Sequence, residues 1–143
     1  MIEFKVKSIT YRLDFSFFLF WAMMYLLGRE KMVLPMFLAC LVHEMGHIVP
    51  MVISGRKIKS IEFGGTGIKI VPLYDKMLPI EWDIIIMISG CLSNFLLTAI
   101  VLMFKIYPLY NVAYVSLSLG IFNALPIKSL DGYDVVQLIV NNY

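Results

Sequence analysis

Both histidines of the chain, His43 and His47, stand four residues apart in the order His43-Glu44-Met45-Gly46-His47. On a helix, residues at that spacing lie one above the other on the same face, so both imidazoles can reach one ion. Zinc takes imidazole nitrogen at about 2.0–2.1 Å, and at catalytic sites it keeps a fourth position for water. A glutamate next to the first histidine is placed to take a proton from that water. The chemistry implied is metal-assisted hydrolysis, with His43 and His47 as ligands and Glu44 as general base. With residue frequencies of a few per cent, the pattern arises by chance in roughly one chain of this length in several hundred.

The surroundings of the motif are those of a membrane. Hydrophobic residues make up 60% of the 143 residues and charged residues 15%, against about 45–50% and 25% in soluble globular chains. Mean hydropathy is +0.83. There is too little polar surface here to clothe a water-soluble domain, so the lipid bilayer is the expected solvent. A net charge of +2, with no lysine- or arginine-rich block, argues against a nucleic-acid partner. Cys40 and Cys91 fall inside apolar stretches and read as packing residues. No small-residue cleavage site closes the first apolar run, so a removable signal peptide is not expected.

Four spans are expected, at about 13–27, 32–54, 84–104 and 106–127. Residues Ile84–Phe104 and Ile106–Ile127 carry no charge over 21 and 22 residues, and about 20 suffice to cross as helix. The first segment is short, with Asp14 near its start, and full crossing is left open there. The second holds the His-Glu pair near its middle, where a charged side chain costs at least roughly 2.5–3.5 kcal/mol and so calls for a function. With the N-terminus in the cytoplasm, nine of the twelve basic residues lie inside: Lys5, Lys7, Arg12, Arg56, Lys57, Lys59, Lys69, Lys76 and Lys128. Both termini are then cytoplasmic in a multi-pass protein of the cell membrane. Between the second and third spans, Ile58–Phe63 and Ile68–Val71 are β-prone and flank Gly64, Gly65, Thr66 and Gly67, which predicts a hairpin. The expected fold is therefore an all-α polytopic membrane protein, one domain over 1–143, with a small β-hairpin and a short C-terminal amphipathic helix.

Two histidines do not complete a site. The remaining candidates for a third ligand are Glu62, Asp75, Glu81, Asp83, Asp131 and Asp134. His47 sits about 6 Å cytoplasmic of His43, at 1.5 Å per residue, and the fourth span runs in the same direction and reaches Asp131 near its cytoplasmic end. Pro126 can break that helix and let the chain fold back. Asp131 is then either a ligand or the cap of the short helix that follows it.

His43-Glu44-Met45-Gly46-His47, followed about eighty residues later by Asn123, Pro126, Asp131 and Gly132 in the order N-x-x-P-x-x-x-x-D-G, resembles the site-2 protease family of intramembrane zinc metalloproteases. It is most similar to the compact bacterial branch that includes the sporulation-factor protease. The resemblance covers about residues 33 to 140. It implies that Asp131 is the third zinc ligand, that one Zn2+ is held per chain, and that the reaction is hydrolysis of a peptide bond in or beside a transmembrane segment of a membrane-anchored protein substrate. Gly90 and Asn94 resemble the family's G-x-x-x-N segment. There the resemblance implies that Asn94 helps position substrate, and Asn123 is a candidate for the same role. The hairpin corresponds to a membrane-associated β element, whose exposed edge could hold an unwound substrate as an added strand. Cys91 stands where a proline is common and Tyr133 where a second small residue is common; neither departure removes a ligand or the base. The alternative function is a catalytically inactive metal-binding membrane protein that binds or regulates clients. Glu44 argues against it, since such a relative would often have lost the base.

Overall fold

The computed structural model describes residues 1–6, 8–65, 67–73, 78–128 and 130–142; Lys7, Thr66, Asp75 and Lys76, named above, lie outside them. The chain runs β1 (Ile2–Val6), β2 (Ile9–Leu13), α1 (Phe15–Leu26), α2 (Glu30–Ser54), β3 (Ile58–Gly64), β4 (Gly67–Pro72), α3 (Ile80–Met103), a 3-10 turn (Tyr107–Leu109), α4 (Tyr110–Asn123) and α5 (Asp131–Asn142).

Helices α2 and α3 are long and apolar enough to cross a hydrocarbon core. Along α3, Ile85, Ile88, Leu92, Leu96, Ile100 and Met103 recur at helical spacing and are 39–70% exposed. A row of large apolar side chains facing outward is suited to lipid rather than water. Helix α1 has 12 residues and α4 has 14, about 18 and 21 Å long. They are shorter than the spans expected at 13–27 and 106–127, for different reasons. The chain up to Leu13 is strand, and the backbone N–H of Asp14 donates to the Phe63 carbonyl at 2.9 Å, so helix begins only after it. At the other end, Pro108 lies in the 3-10 turn, while Pro126 follows the end of α4.

The β element is larger than a lone hairpin. The expected hairpin is present as β3 and β4, but a second one, β1–β2, joins it to make a four-stranded sheet in the order β1-β2-β3-β4. The β2–β3 pairing is parallel, with Tyr11 opposite Ile61. This leaves β4 on the edge, against α2.

Small residues let α2 and α3 approach closely, as in many membrane helix pairs. A Cβ on Gly46 would lie 2.6 Å from both the Ser89 carbonyl oxygen and Ser93 Oγ, and Ser93 Oγ is 3.0 Å from the Val42 carbonyl. Gly120 on α4 takes the ring edge of Phe95, and Thr98 Oγ1 donates across to the Ala113 carbonyl at 3.0 Å. At the opposite end of α2, buried Arg56 pairs with Asp83 and ties that end to the start of α3. Both cysteines are free.

Candidate metal centre

Helix α2 runs unbroken through Pro35 and Pro50 and carries His43 and His47 on one face. Their rings meet edge to face with centroids 4.9 Å apart. Nε2 of His43 and Nε2 of His47 are 3.3 Å apart. The third corner comes from α5: Asp131 Oδ2 lies 3.0 Å from His43 Nε2 and 3.4 Å from His47 Nε2. These three residues could hold one metal ion. Tetrahedral bonds of 2.0–2.1 Å subtend donor–donor edges of about 3.3–3.4 Å, and the observed edges run from 3.0 to 3.4 Å. Two imidazole nitrogens and one carboxylate oxygen at that spacing fit three faces of the zinc requirement at once: donor type, donor number and size.

Two backbone features bring the triad together. The first is Gly90 on α3, which lies flat against the rings: a Cβ there would fall 2.5 Å from His47 Cε1 and 2.8 Å from His43 Cε1, and closer still to His47 Nε2. Only glycine leaves room for both imidazoles. The second is Gly132, where a Cβ would overlap the Ala124 carbonyl. The chain after α4 therefore folds back with the start of α5 pressed on the end of α4, and this sets Asp131 beside α3, with its Oδ2 3.9 Å from Cys91 Sγ.

The electrostatics favour an ionised Asp131. Burial by itself would raise its carboxyl, but hydrogen bonding and charge from His43 and His47 outweigh that and hold it below the usual carboxylate range. His47 Nδ1 is 2.6 Å from the Ile86 carbonyl. A carbonyl can only accept, so in the neutral ring the single proton belongs on Nδ1, which leaves the Nε2 lone pair for a cation.

Glu44 is not one of the three donors. Its Oε2 accepts the backbone N–H of Ile70, on the β4 edge, at 3.0 Å. With His43, His47, Asp131 and Asn123 it lines a cavity of about 480 Å³. Asn94 is fully buried, is not among the residues lining that cavity, and places Nδ2 3.3 Å from His43 Nδ1.

Of the other carboxylates considered for the third position, Glu62 is paired with Arg12 at 2.9 Å, Asp83 with Arg56, and Glu81 is exposed at the start of α3. Asp134 lines the cavity without joining the triad; Asp75 lies outside the described residues. Cys40, read from the sequence as a packing residue, and Arg56, counted there only among the basic residues of the cytoplasmic side, also line the cavity. The Ile70 N–H is a further participant, and no side-chain pattern announces a backbone donor.

The site-2 protease from Methanocaldococcus jannaschii has a similar solved structure, with a TM-score of 0.80 at 25% sequence identity over 99% of this chain and 72% of that one. No family model and no curated protein matches the chain.

Proposed function

We propose, from the premise that this chain belongs to the site-2 protease family, that it is an intramembrane zinc endopeptidase acting on a membrane-anchored protein. The observation that carries this reading is the triangle of His43 Nε2, His47 Nε2 and Asp131 Oδ2, with the Glu44 carboxylate in the same cavity. His43, His47 and Asp131 would hold the metal. When bound, zinc supplies Lewis-acid polarisation of water and of the scissile carbonyl.

The chain's own residues account for the rest. Glu44 accepts a proton as water oxygen bonds to the carbonyl carbon. It then returns that proton to the departing amide nitrogen as the C–N bond breaks, so the carboxylate is regenerated and no net proton is consumed. Asn123, at the cavity wall, is our candidate for orienting the substrate backbone. Peptide carbonyls in a helix are tied up in i→i−4 bonds, so the substrate must be extended at the cut. The β4 edge supports an arrangement that holds it so. Ile70 presents its N–H away from β3 and toward Glu44, and alternation along the strand gives Ile68 the same outward side. Pro72, which has no N–H, closes that edge at the end of β4. A strand added along Ile68–Ile70 would run past the Glu44 carboxylate.

We place the protein in the cell membrane as one multi-pass domain over 1–143, with both termini and the catalytic side toward the cytoplasm. The basic residues gathered on that side support this orientation. The presence of Glu44 favours an enzyme over a metal-holding protein without activity.

The test is reversible metal removal. Purified protein in detergent should cleave a single-span substrate, lose that cleavage when a chelator strips its zinc, and regain it when zinc is restored. Cleavage that persists in metal-free protein would overturn the reading.

A further inference from the structure

Asn94 stands on α3 one turn beyond Gly90, at 0% exposure. Its Nδ2 faces His43 Nδ1 at 3.3 Å. Its Oδ1 is buried and has no hydrogen-bond partner among the described residues. Nothing among them therefore holds the oxygen where it is, and the two ends of an amide have the same shape, so a half-turn exchanges them without breaking a hydrogen bond to Oδ1.

The two sides of the His43 ring are not independent. Nε2 points into the triangle with His47 and Asp131. A nitrogen that gives its lone pair to a cation carries no proton, so the ring proton must sit on Nδ1, and Nδ1–H is a donor. An amide NH2 facing it would set donor against donor, whereas the amide oxygen accepts. His47 already has such an acceptor, the Ile86 carbonyl at 2.6 Å. Metal-bound histidines commonly give their second N–H to a carbonyl or carboxylate, which fixes tautomer and ring plane.

We propose that Asn94 is a positioning residue for the metal centre: its Oδ1 accepts the Nδ1–H of His43 and so fixes the ring that presents Nε2 to zinc. This rests on the zinc reading above. It gives Asn94 a place behind the ligand rather than against the substrate, in keeping with its complete burial and its absence from the cavity wall.

The experiment compares wild type with Asn94→Leu, which is similar in size but offers neither donor nor acceptor, and with Asn94→Asp, whose carboxylate can accept the same N–H. Zinc dissociation constants are measured in detergent by competition with a chelator, and KM and kcat for a single-span substrate at saturating zinc. Asn94→Leu should bind zinc about 10–100-fold more weakly, with KM unchanged once zinc is saturating. Asn94→Asp should stay within about tenfold of wild type. Wild-type zinc affinity in Asn94→Leu together with a raised KM would overturn the proposal in favour of a substrate contact, leaving the protease reading intact. If Asn94→Leu does not fold, Asn94→Asp decides alone: a loss beyond about tenfold overturns the acceptor role. Wild-type protein that binds no zinc would sink both readings together.

Discussion

Glu44→Gln should lower turnover of a single-span substrate by about 10²–10⁴-fold, the range lost with a positioned general base, while zinc content should stay at the wild-type level. The substitution is nearly isosteric. The glutamine carbonyl oxygen can still accept the Ile70 N–H that Glu44 Oε2 accepts at 3.0 Å, so the link between α2 and the β4 edge survives. Glu44 is not one of the three convergent donors, so metal affinity should move little. What disappears is the carboxylate that, in the proposed mechanism, takes a proton from water and hands it to the leaving nitrogen. The paired measurement is zinc per chain and cleavage rate on the same preparation. Equal cleavage by both proteins at full zinc occupancy would remove Glu44 from the mechanism.

Gly90→Ala should reduce zinc affinity by about 100-fold or more, at or beyond the upper end of what losing a residue that supports a ligand usually costs, and cleavage should fall with it. A single methyl group suffices because Gly90 has no spare room. The added carbon would stand 2.5 Å from His47 Cε1 and 2.8 Å from His43 Cε1. Neither neighbour is the far end of a flexible chain: each is a ring whose other edge is committed, His47 through Nδ1 to Ile86 and His43 to Asn94. To admit the methyl, α3 must back away or the rings must tilt, and either opens the triangle whose edges are 3.0–3.4 Å. Unchanged elution and helix content in detergent would show that the fold tolerates the change. Zinc bound by Gly90→Ala as tightly as by wild type would mean that the rings do not rest on Gly90 as described.

The parts of this architecture legible in the sequence are those set by residue type at short range. The two histidines stand four residues apart, so periodicity alone puts them on a common face, with Glu44 next to the first of them. The β3–β4 hairpin joins neighbouring segments through a glycine-rich turn, and α5 begins at Asp131 after the break at Pro126. Asp131 itself was legible only as one of two roles from its own surroundings; the motif that includes Asn123 and Pro126 favoured the ligand, and the geometry brings its carboxylate to both imidazoles.

Most of what stayed hidden depends on contacts between distant segments; the neighbouring strands β1 and β2 are the exception. Ile2, Phe4 and Val6, then Ile9, Tyr11 and Leu13, alternate as strands do. Their basic neighbours Lys5 and Arg12 instead suggested the cytoplasmic flank of a span. The parallel pairing of β2 with β3 sets Tyr11 opposite Ile61 across two intervening helices, and no local pattern encodes it. The same holds for Glu44 and Ile70, and for Asn94, which the sequence put near the site without showing which side of His43 it occupies.

The proposed function requires that His43, His47 and Asp131 bind one zinc ion together. Zinc X-ray absorption, with metal per chain, on wild type and Asp131→Ala tests it most directly. One zinc per wild-type chain is expected, bound by two imidazole nitrogens and a carboxylate oxygen, whereas Asp131→Ala should lose the oxygen contribution and most of its zinc. Full zinc occupancy in Asp131→Ala with an unchanged spectrum would contradict it.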